Sequence, residues 1–139
     1  MSTYAQIRAG LLTQLQTLPG INVAAEWPDQ VVPPAVCVKL VAGTYEQAFG
    51  AGGDEDTDIT LEIVVLLGLK GGLANAQRNI ELYLDNVGTR SIRAAVIGDR
   101  TLGGVAQYTF VRGWRAYDTV EVNGAEWMGA TVDVEVKNT

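Results

Sequence analysis

Apolar residues near the amino terminus recur at the spacing of one face of an α-helix. The members of this stripe are Ile7, Leu11, Leu12, Leu15 and Leu18. Ser2 or Thr3 can cap the start of the helix, with Gln6 as a weak capping-box partner. Pro19-Gly20 ends it. A glycine inside a helix costs about 1 kcal/mol relative to alanine, so Gly10 suggests that another backbone approaches closely there.

Alternating apolar and polar residues further along the chain predict strands. One strand is predicted over 35–41, with a short extended piece over 21–25 before it. The strongest strand is predicted over 57–67, and its apolar face consists of Ile59, Leu61, Ile63, Val65 and Leu67. Near the end of that strand the polar partners give way to Val64 and Leu66. We therefore expect one end of the strand to have a solvated face and the other end to be covered on both sides.

Helical spacing returns after this strand. A second amphipathic helix is predicted over 73–86, and its apolar stripe consists of Leu73, Ala76, Ile80, Tyr83, Leu84 and Val87. Ser91 can cap a shorter helical segment over 92–97, which Gly98 ends.

Two further strands are predicted at the carboxyl end, over 105 to about 114 and over 127–137. Asn123-Gly124 between them is a strong signal for a two-residue hairpin turn. The last strand alternates cleanly, with Met128, Ala130, Val132, Val134 and Val136 on its inward face. The predicted order is therefore α-β-β-β-α-α-β-β in a single domain, residues 1–139.

The stretch between Gly43 and Thr57 differs from its surroundings, because it is rich in glycine and acidic residues and contains no lysine or arginine. Strand signals on both sides predict that it is the long tip of a hairpin. We expect it to be mobile in an isolated subunit and to become ordered on contact with a partner.

The composition excludes several common kinds of catalytic, metal-binding and disulfide site. The chain has 139 residues, a net charge of −6, no histidine and one cysteine, Cys37. Without histidine there is no Ser–His or Cys–His pair, no imidazole base and no histidine metal ligand. A single cysteine excludes an intrachain disulfide, and the negative charge argues against general nucleic-acid binding. We therefore predict no enzymatic activity, no catalytic residue, no cofactor and no metal site.

Three features have a functional and a structural interpretation, and the structural one is favoured for each. Cys37 sits in an apolar strand, as a small core residue does. The acidic residues of 54–58 lack the glycine and the glutamate spacing of an EF-hand loop. The glycines of 68–72 lack the spacing of a phosphate-binding loop, so a tight strand–helix connection is expected there.

Charge is unevenly distributed along the chain. Residues 46–62 contain six acidic side chains and no basic one, whereas residues 78–115 contain six arginines and three acidic residues. Opposite charges on different patches of one subunit suit head-to-tail contacts, which can close into rings. The residues predicted to form subunit or partner interfaces are Glu46, Asp54, Glu55, Asp56, Asp58, Arg90, Arg93, Arg100, Arg112 and Arg115.

Several short segments occur in an order that resembles one protein family. They are Leu18-Pro19-Gly20-Ile21-Asn22-Val23, Trp27-Pro28-Asp29, Pro33-Pro34-Ala35, the acidic glycine-rich stretch, the helix from Ala74 to Leu84, Ser91-Ile92-Arg93-Ala94-Ala95-Val96, Leu102-Gly103-Gly104-Val105 and Gly124-Ala125-Glu126-Trp127-Met128-Gly129-Ala130. In this order the chain resembles the tail terminator (tail completion) proteins of long-tailed bacteriophages.

This resemblance implies a small α+β subunit with helices on one face of a mixed sheet. With the predicted elements, we expect a single mixed or antiparallel sheet of about five strands, two main helices packed on one face and a long hairpin loop. The resemblance also implies a homo-oligomeric, six-membered ring at the head-proximal end of the tail tube, which stops tube polymerisation and offers a surface to the head–tail connector protein. Its partners are then itself, the tail tube protein and that connector.

Genomic DNA would pass through the channel of such a ring without specific binding, and a negatively charged protein suits that passage. Nothing in the sequence predicts a membrane segment or a signal peptide, so we expect synthesis in the host cytoplasm and a final location in the virion. Two alternatives remain open. One is another neck or head–tail connector protein of a phage, and the other is a small ligand-binding domain or enzyme.

Overall fold

The computed structural model describes residues 3–24, 32–43, 58–122 and 124–138. The elements in chain order are α1 (Tyr4–Leu15), β1 (Asn22–Ala24), β2 (Ala35–Gly43), β3 (Asp58–Leu67), α2 (Leu73–Leu84), α3 (Ile92–Ile97), β4 (Ala106–Val122) and β5 (Ala125–Asn138). This order confirms the predicted sequence of helices and strands.

The described strands form one five-stranded sheet in the order β1-β2-β3-β5-β4. β1 and β2 are parallel, and all other neighbouring strands are antiparallel. The α+β class and the single mixed sheet of about five strands are thereby confirmed. β2 and β3 pair as the two arms of a hairpin, as predicted, while the acidic stretch that joins them lies outside the described residues.

The helices pack on one face of this sheet and form one core with it. The strands contribute every second side chain to that core, for example Ile59, Leu61 and Ile63 of β3 and Val132 and Val134 of β5, all nearly inaccessible to solvent. The helices contribute Ile7, Leu11, Leu15, Ala76, Ile80, Tyr83, Ile92 and Val96. The two-residue period of the strands thus separates a helix-covered face from an open face.

The first helix begins and packs as its sequence predicts. The Gln6 backbone N–H donates to the Thr3 hydroxyl at 3.2 Å, and the Thr3 backbone N–H donates to the Gln6 side chain at 2.8 Å, which completes a capping box. Gly10 faces Leu102, and a Cβ added at Gly10 would lie 2.8 Å from the Leu102 carbonyl oxygen. The absence of a side chain at Gly10 therefore permits this approach.

The second helix is shorter than predicted, because it ends at Leu84 rather than at 86. Two members of its predicted stripe are exposed: Leu73 at 56% and Val87 at 70%. Leu73 is the first residue of the helix and Val87 lies beyond its end, whereas the buried residues of α2 lie between them. The third helix occupies the predicted 92–97, with Ser91 as its cap.

β4 is longer than predicted, since it continues past Trp114 to Val122. Its pairing with β5 shifts register at three places, between Ala106 and Tyr108, between Val111 and Gly113, and between Arg115 and Asp118. Each irregularity adds one residue to β4, so the side chains that follow it point to the other face of the sheet than they would in a regular strand. The alternation of apolar and polar residues that identifies a strand in the sequence is therefore interrupted.

Candidate functional site

The open face of the sheet carries a row of charged side chains that crosses four strands. Lys39 of β2 lies opposite Glu62 of β3, which in turn lies opposite Asp133 of β5. Arg115 of β4 completes the row: its Nε donates to both Asp133 carboxylate oxygens at 3.1 and 3.2 Å, and its Nη2 contacts Glu62. Lys39 is the distant member, with its Nζ 4.0 Å from Glu62.

Two further ion pairs occupy the same face. Arg112 of β4 donates to Glu135 of β5 from Nε at 3.1 Å, and its Nη2 lies 3.1 Å from the same oxygen. Lys137 of β5 lies 3.3 Å from Asp58 of β3. Antiparallel pairing therefore brings charges that are far apart in the sequence into contact within one subunit. Asp58, Arg112 and Arg115, predicted to serve contacts between subunits, already have partners in their own chain.

Aromatic residues continue the open face toward the start of β4. The rings of Tyr108 and Phe110 lie 4.7 Å apart at 52°. The guanidinium of Arg100 lies 4.9 Å from the centre of the Tyr108 ring, and that of Arg112 lies 4.7 Å from the centre of the Phe110 ring. Arg100 also donates to the Thr109 carbonyl oxygen at 2.9 Å, so it binds the backbone of this edge strand.

The turn before β4 positions Arg100. The Asp99 carboxylate accepts hydrogen bonds from the Thr101 hydroxyl at 2.7 Å, the Thr101 backbone at 3.1 Å and the Gly103 backbone at 2.9 Å. These bonds hold the pKa of Asp99 below its ordinary value. The same turn sends Leu102 into the core, where it is 2% exposed.

The edge formed by β4 also carries an exposed tryptophan. Trp114 is 54% exposed, although it pairs with the inward-facing Val132. A cavity of about 160 Å³ separates it from α2, with Leu84 and Arg93 among the residues that line it. Arg93 contacts the Asn86 carbonyl oxygen at 3.4 Å.

A larger cleft of about 390 Å³ lies at the end of the sheet where β2 begins and β3 ends. Its walls are apolar or small residues: Pro19, Gly20, Pro33, Pro34, Leu67 and Gly68. Its polar side chains are Lys70, Asn79, Tyr83 and Arg90. Burial raises the pKa of the Tyr83 phenol, and the positive charge of Arg90 acts in the opposite direction. No carboxylate is among the described residues that line this cleft.

Among the described residues, the predicted interface residues are not brought to one place. Arg90 lies at the cleft and Arg93 at the cavity beside α2, while Arg100, Arg112 and Arg115 follow β4. The acidic members Glu46, Asp54, Glu55 and Asp56 lie outside the described residues. Lys70 was not predicted from the sequence; it lies in the connection between β3 and α2, and only its isolated position among glycines could have singled it out.

Cys37 is buried, as predicted, and is 3% exposed. Burial raises the pKa of its thiol to about 11, and nearby Lys39 lowers it only in part, so the reactive thiolate is strongly disfavoured. Of the acidic residues in 54–58 that were compared with a calcium-binding loop, only Asp58 is among the described residues. Within the described ranges, no three histidine, cysteine, aspartate or glutamate side chains form a group that could hold a metal ion.

None of the helices in the described part of the chain has the length and apolar character needed to cross a membrane. Three surfaces of the described residues have distinctive chemistry: the paired open face, the β4 edge with Trp114, and the cleft with Lys70 and Arg90. No family model matches the chain, and no curated protein matches it.

Proposed function

We propose that this chain is a structural subunit of a bacteriophage tail that assembles into a homo-oligomeric, six-membered ring. The ring sits at the head-proximal end of the tail tube, stops its polymerisation and offers a surface for head–tail joining. The order of segments that resembles tail terminator proteins supports this function. The structural observation that carries the proposal is the long edge strand β4, which bears an exposed tryptophan.

An edge strand presents backbone donors and acceptors to any neighbouring chain, and proteins normally protect such edges. β4 has 17 residues, whereas the strand at the other edge, β1, has three. Trp114 and Tyr108, which are 54% and 39% exposed, add aromatic surface of the kind enriched in protein interfaces. A second subunit that covers this edge removes both features from solvent.

The shape of β4 favours contacts between unlike surfaces. Its three register shifts bend the strand and interrupt its regular hydrogen-bonding pattern. Two copies of β4 are therefore poorly suited to continuous pairing with each other, the arrangement that makes a symmetric dimer. Contacts between unlike surfaces propagate from one subunit to the next and close into a ring when the rotation between subunits allows it.

The charge distribution is compatible with a channel for DNA. The chain has a net charge of −6, and the arginines Arg112 and Arg115 on the open face are paired with carboxylates. Sequence-independent DNA binding requires unpaired basic side chains that neutralise phosphates. A ring whose channel is lined by this paired open face would let DNA pass without retaining it. Its location is then the virion, with assembly in the host cytoplasm.

Electron microscopy tests this function directly. We expect closed rings from the purified protein, and overlong tails without heads in particles that lack it. Trp114→Lys should prevent ring formation, whereas Leu82→Lys, at a 45% exposed position on α2, should not. Tails of normal length that fail to join heads would favour the alternative, another neck or head–tail connector protein. Absence of the protein from virions would refute both.

A further inference from the structure

The cleft at the end of β3 has the dimensions and chemistry of a site for an acidic peptide segment. A volume of about 390 Å³ lies within the range of known ligand pockets, about 300–1,000 Å³. Three prolines and Leu67 supply rigid apolar walls, against which an extended backbone can pack. Asn79 adds a side-chain amide that can both donate and accept hydrogen bonds.

The cleft is positively charged. Lys70 and Arg90 line it, both are exposed, and neither forms an ion pair with another of the described residues. The arginines on the open face differ in this respect, because Arg112 and Arg115 are neutralised by carboxylates of their own chain. The cleft thus retains cations that are free to bind carboxylates, and an arginine can bind a carboxylate through two parallel hydrogen bonds.

The chain itself contains a matching acidic segment, Asp54-Glu55-Asp56, which lies outside the described residues. Chain length limits where this segment can lie. Asp54 precedes Asp58 by four residues, and a chain extends at most about 3.6 Å per residue, so the segment stays within about 14 Å of Asp58. The cleft lies beyond Leu67, at the other end of β3, about 30 Å from Asp58. The segment therefore cannot reach the cleft of its own subunit.

We infer that the cleft binds the acidic segment Asp54-Glu55-Asp56 of a second copy of this chain. The segment precedes the first residue of β3 in the sequence, whereas the cleft lies at the last residue of that strand. Each subunit therefore uses one of each, and the contact is head-to-tail. Such a contact leaves a free cleft at one end of the assembly and a free acidic segment at the other until the assembly closes. The inference rests on the proposed function, since it names how neighbouring subunits of the ring engage.

Two neutralising variants test the contact. Lys70→Gln/Arg90→Gln removes the cations of the cleft, and Asp54→Asn/Glu55→Gln/Asp56→Asn removes the charges of the segment. By native mass spectrometry we expect wild-type protein to form multi-subunit assemblies and each variant alone to remain a single subunit. Lys39→Gln/Arg78→Gln is the matched control, because it removes two positive charges outside the cleft, and it should assemble like wild type.

Mixing the two variants gives a sharper result. Each mixed pair has one intact cleft and one intact segment, so one cleft–segment contact forms between the two variants. No second cleft–segment contact is then available to extend the assembly, and the β4 edge alone does not hold subunits together. We therefore expect heterodimers only. Full-size assemblies of either variant alone would overturn the inference, as would a mixture that contains no heterodimer. An unchanged circular dichroism spectrum and a cooperative melting transition establish that the variants are folded.

The outcome separates this inference from the proposed function. If the cleft variant still forms rings and still limits tail length, the cleft contact is wrong and the proposed function stands. If both variants fail to assemble and form heterodimers when mixed, yet virions lack the protein, the contact stands and the proposed function fails. Wild-type protein that remains a single subunit even at millimolar concentration would overturn the inference, while tail length in particles would still test the function.

Discussion

The two faces of the same strands differ in what stabilises them. On the helix-covered face, β3 presents Ile59, Leu61 and Ile63, and all three side chains are fully buried. On the open face, β3 presents Glu62 and β5 presents Asp133, and both carboxylates pair with Arg115 from a third strand. Water is therefore excluded from one face and remains in contact with the ion pairs of the other.

This difference shows how each face tolerates change. The covered face is stabilised by the hydrophobic effect, which is non-directional and requires the buried side chains to be apolar. The open face is stabilised by ion pairs, which depend on the positions of the two charged groups and are partly screened by water. Substitutions should therefore cost most on the covered face, least in the exposed turns, and an intermediate amount at the paired charges.

The largest effect is expected from Val134→Asp, at a fully buried position of β5. An unpaired carboxylate in the core should cost at least about 4 kcal/mol and unfold the domain. Thr131→Asp makes the same kind of change on the open face of the same strand and should alter stability by less than about 1 kcal/mol. Urea denaturation followed by circular dichroism measures both, and equal losses would contradict the separation of the faces.

A smaller loss is expected from Gly10→Ala. Alanine favours a helix, yet its Cβ would lie 2.9 Å from the Leu102 Cβ, so either α1 or the turn before β4 must shift. We expect a destabilisation of about 1–3 kcal/mol. Gly113→Ala is the control, since a Cβ there meets no atom within 4 Å, and it should be neutral or slightly stabilising. A more stable Gly10→Ala protein would contradict the close approach.

Arg115→Met should cost about 1 kcal/mol, because it leaves Glu62 and Asp133 without their shared partner while much of the site remains solvated. Lys39→Met, which removes a lysine with a 61% exposed side chain 4.0 Å from Glu62, should have almost no effect. The loss in Arg115→Met should shrink as salt is added. Denaturation curves at low and high ionic strength test this, and equal losses for the two variants would contradict the row of pairs.

Apart from the control variants, the smallest effect is expected from Asp99→Ala, in the turn that carries Arg100 and Leu102. The pKa of Asp99 is lowered in the folded state, so its ionised form stabilises the fold above the ordinary value of 3.8, and this contribution is lost as the pH falls through the folded pKa. We expect the melting temperature of the variant to lie below that of wild type at pH 7 and the difference to decrease as the pH falls below the ordinary value. A difference that is independent of pH would show that the carboxylate charge is unimportant there.

Much of the fold was predictable, because the spacing of apolar residues along the sequence indicates which side chains are buried. Alternation in β3 and β5 and the capping residues Thr3 and Ser91 identified their elements correctly. The second half of β4 was not predicted, because its bulges break the alternation. The exposure of Leu73 and Val87 was not predicted either, since helical spacing says nothing about where the sheet beneath a helix ends.

Residue type and local spacing were enough to define the order of elements, the apolar face of each regular strand and the lack of histidine chemistry. Which charges meet depends instead on the folded arrangement of the whole chain. Arg115 and Glu62 are 53 positions apart, and the strand order β3-β5-β4 brings them together. The same arrangement places Lys70 and Arg90 at one cleft without a described carboxylate. Such contacts depend on register and strand order, which follow from packing of the complete sheet rather than from any local pattern.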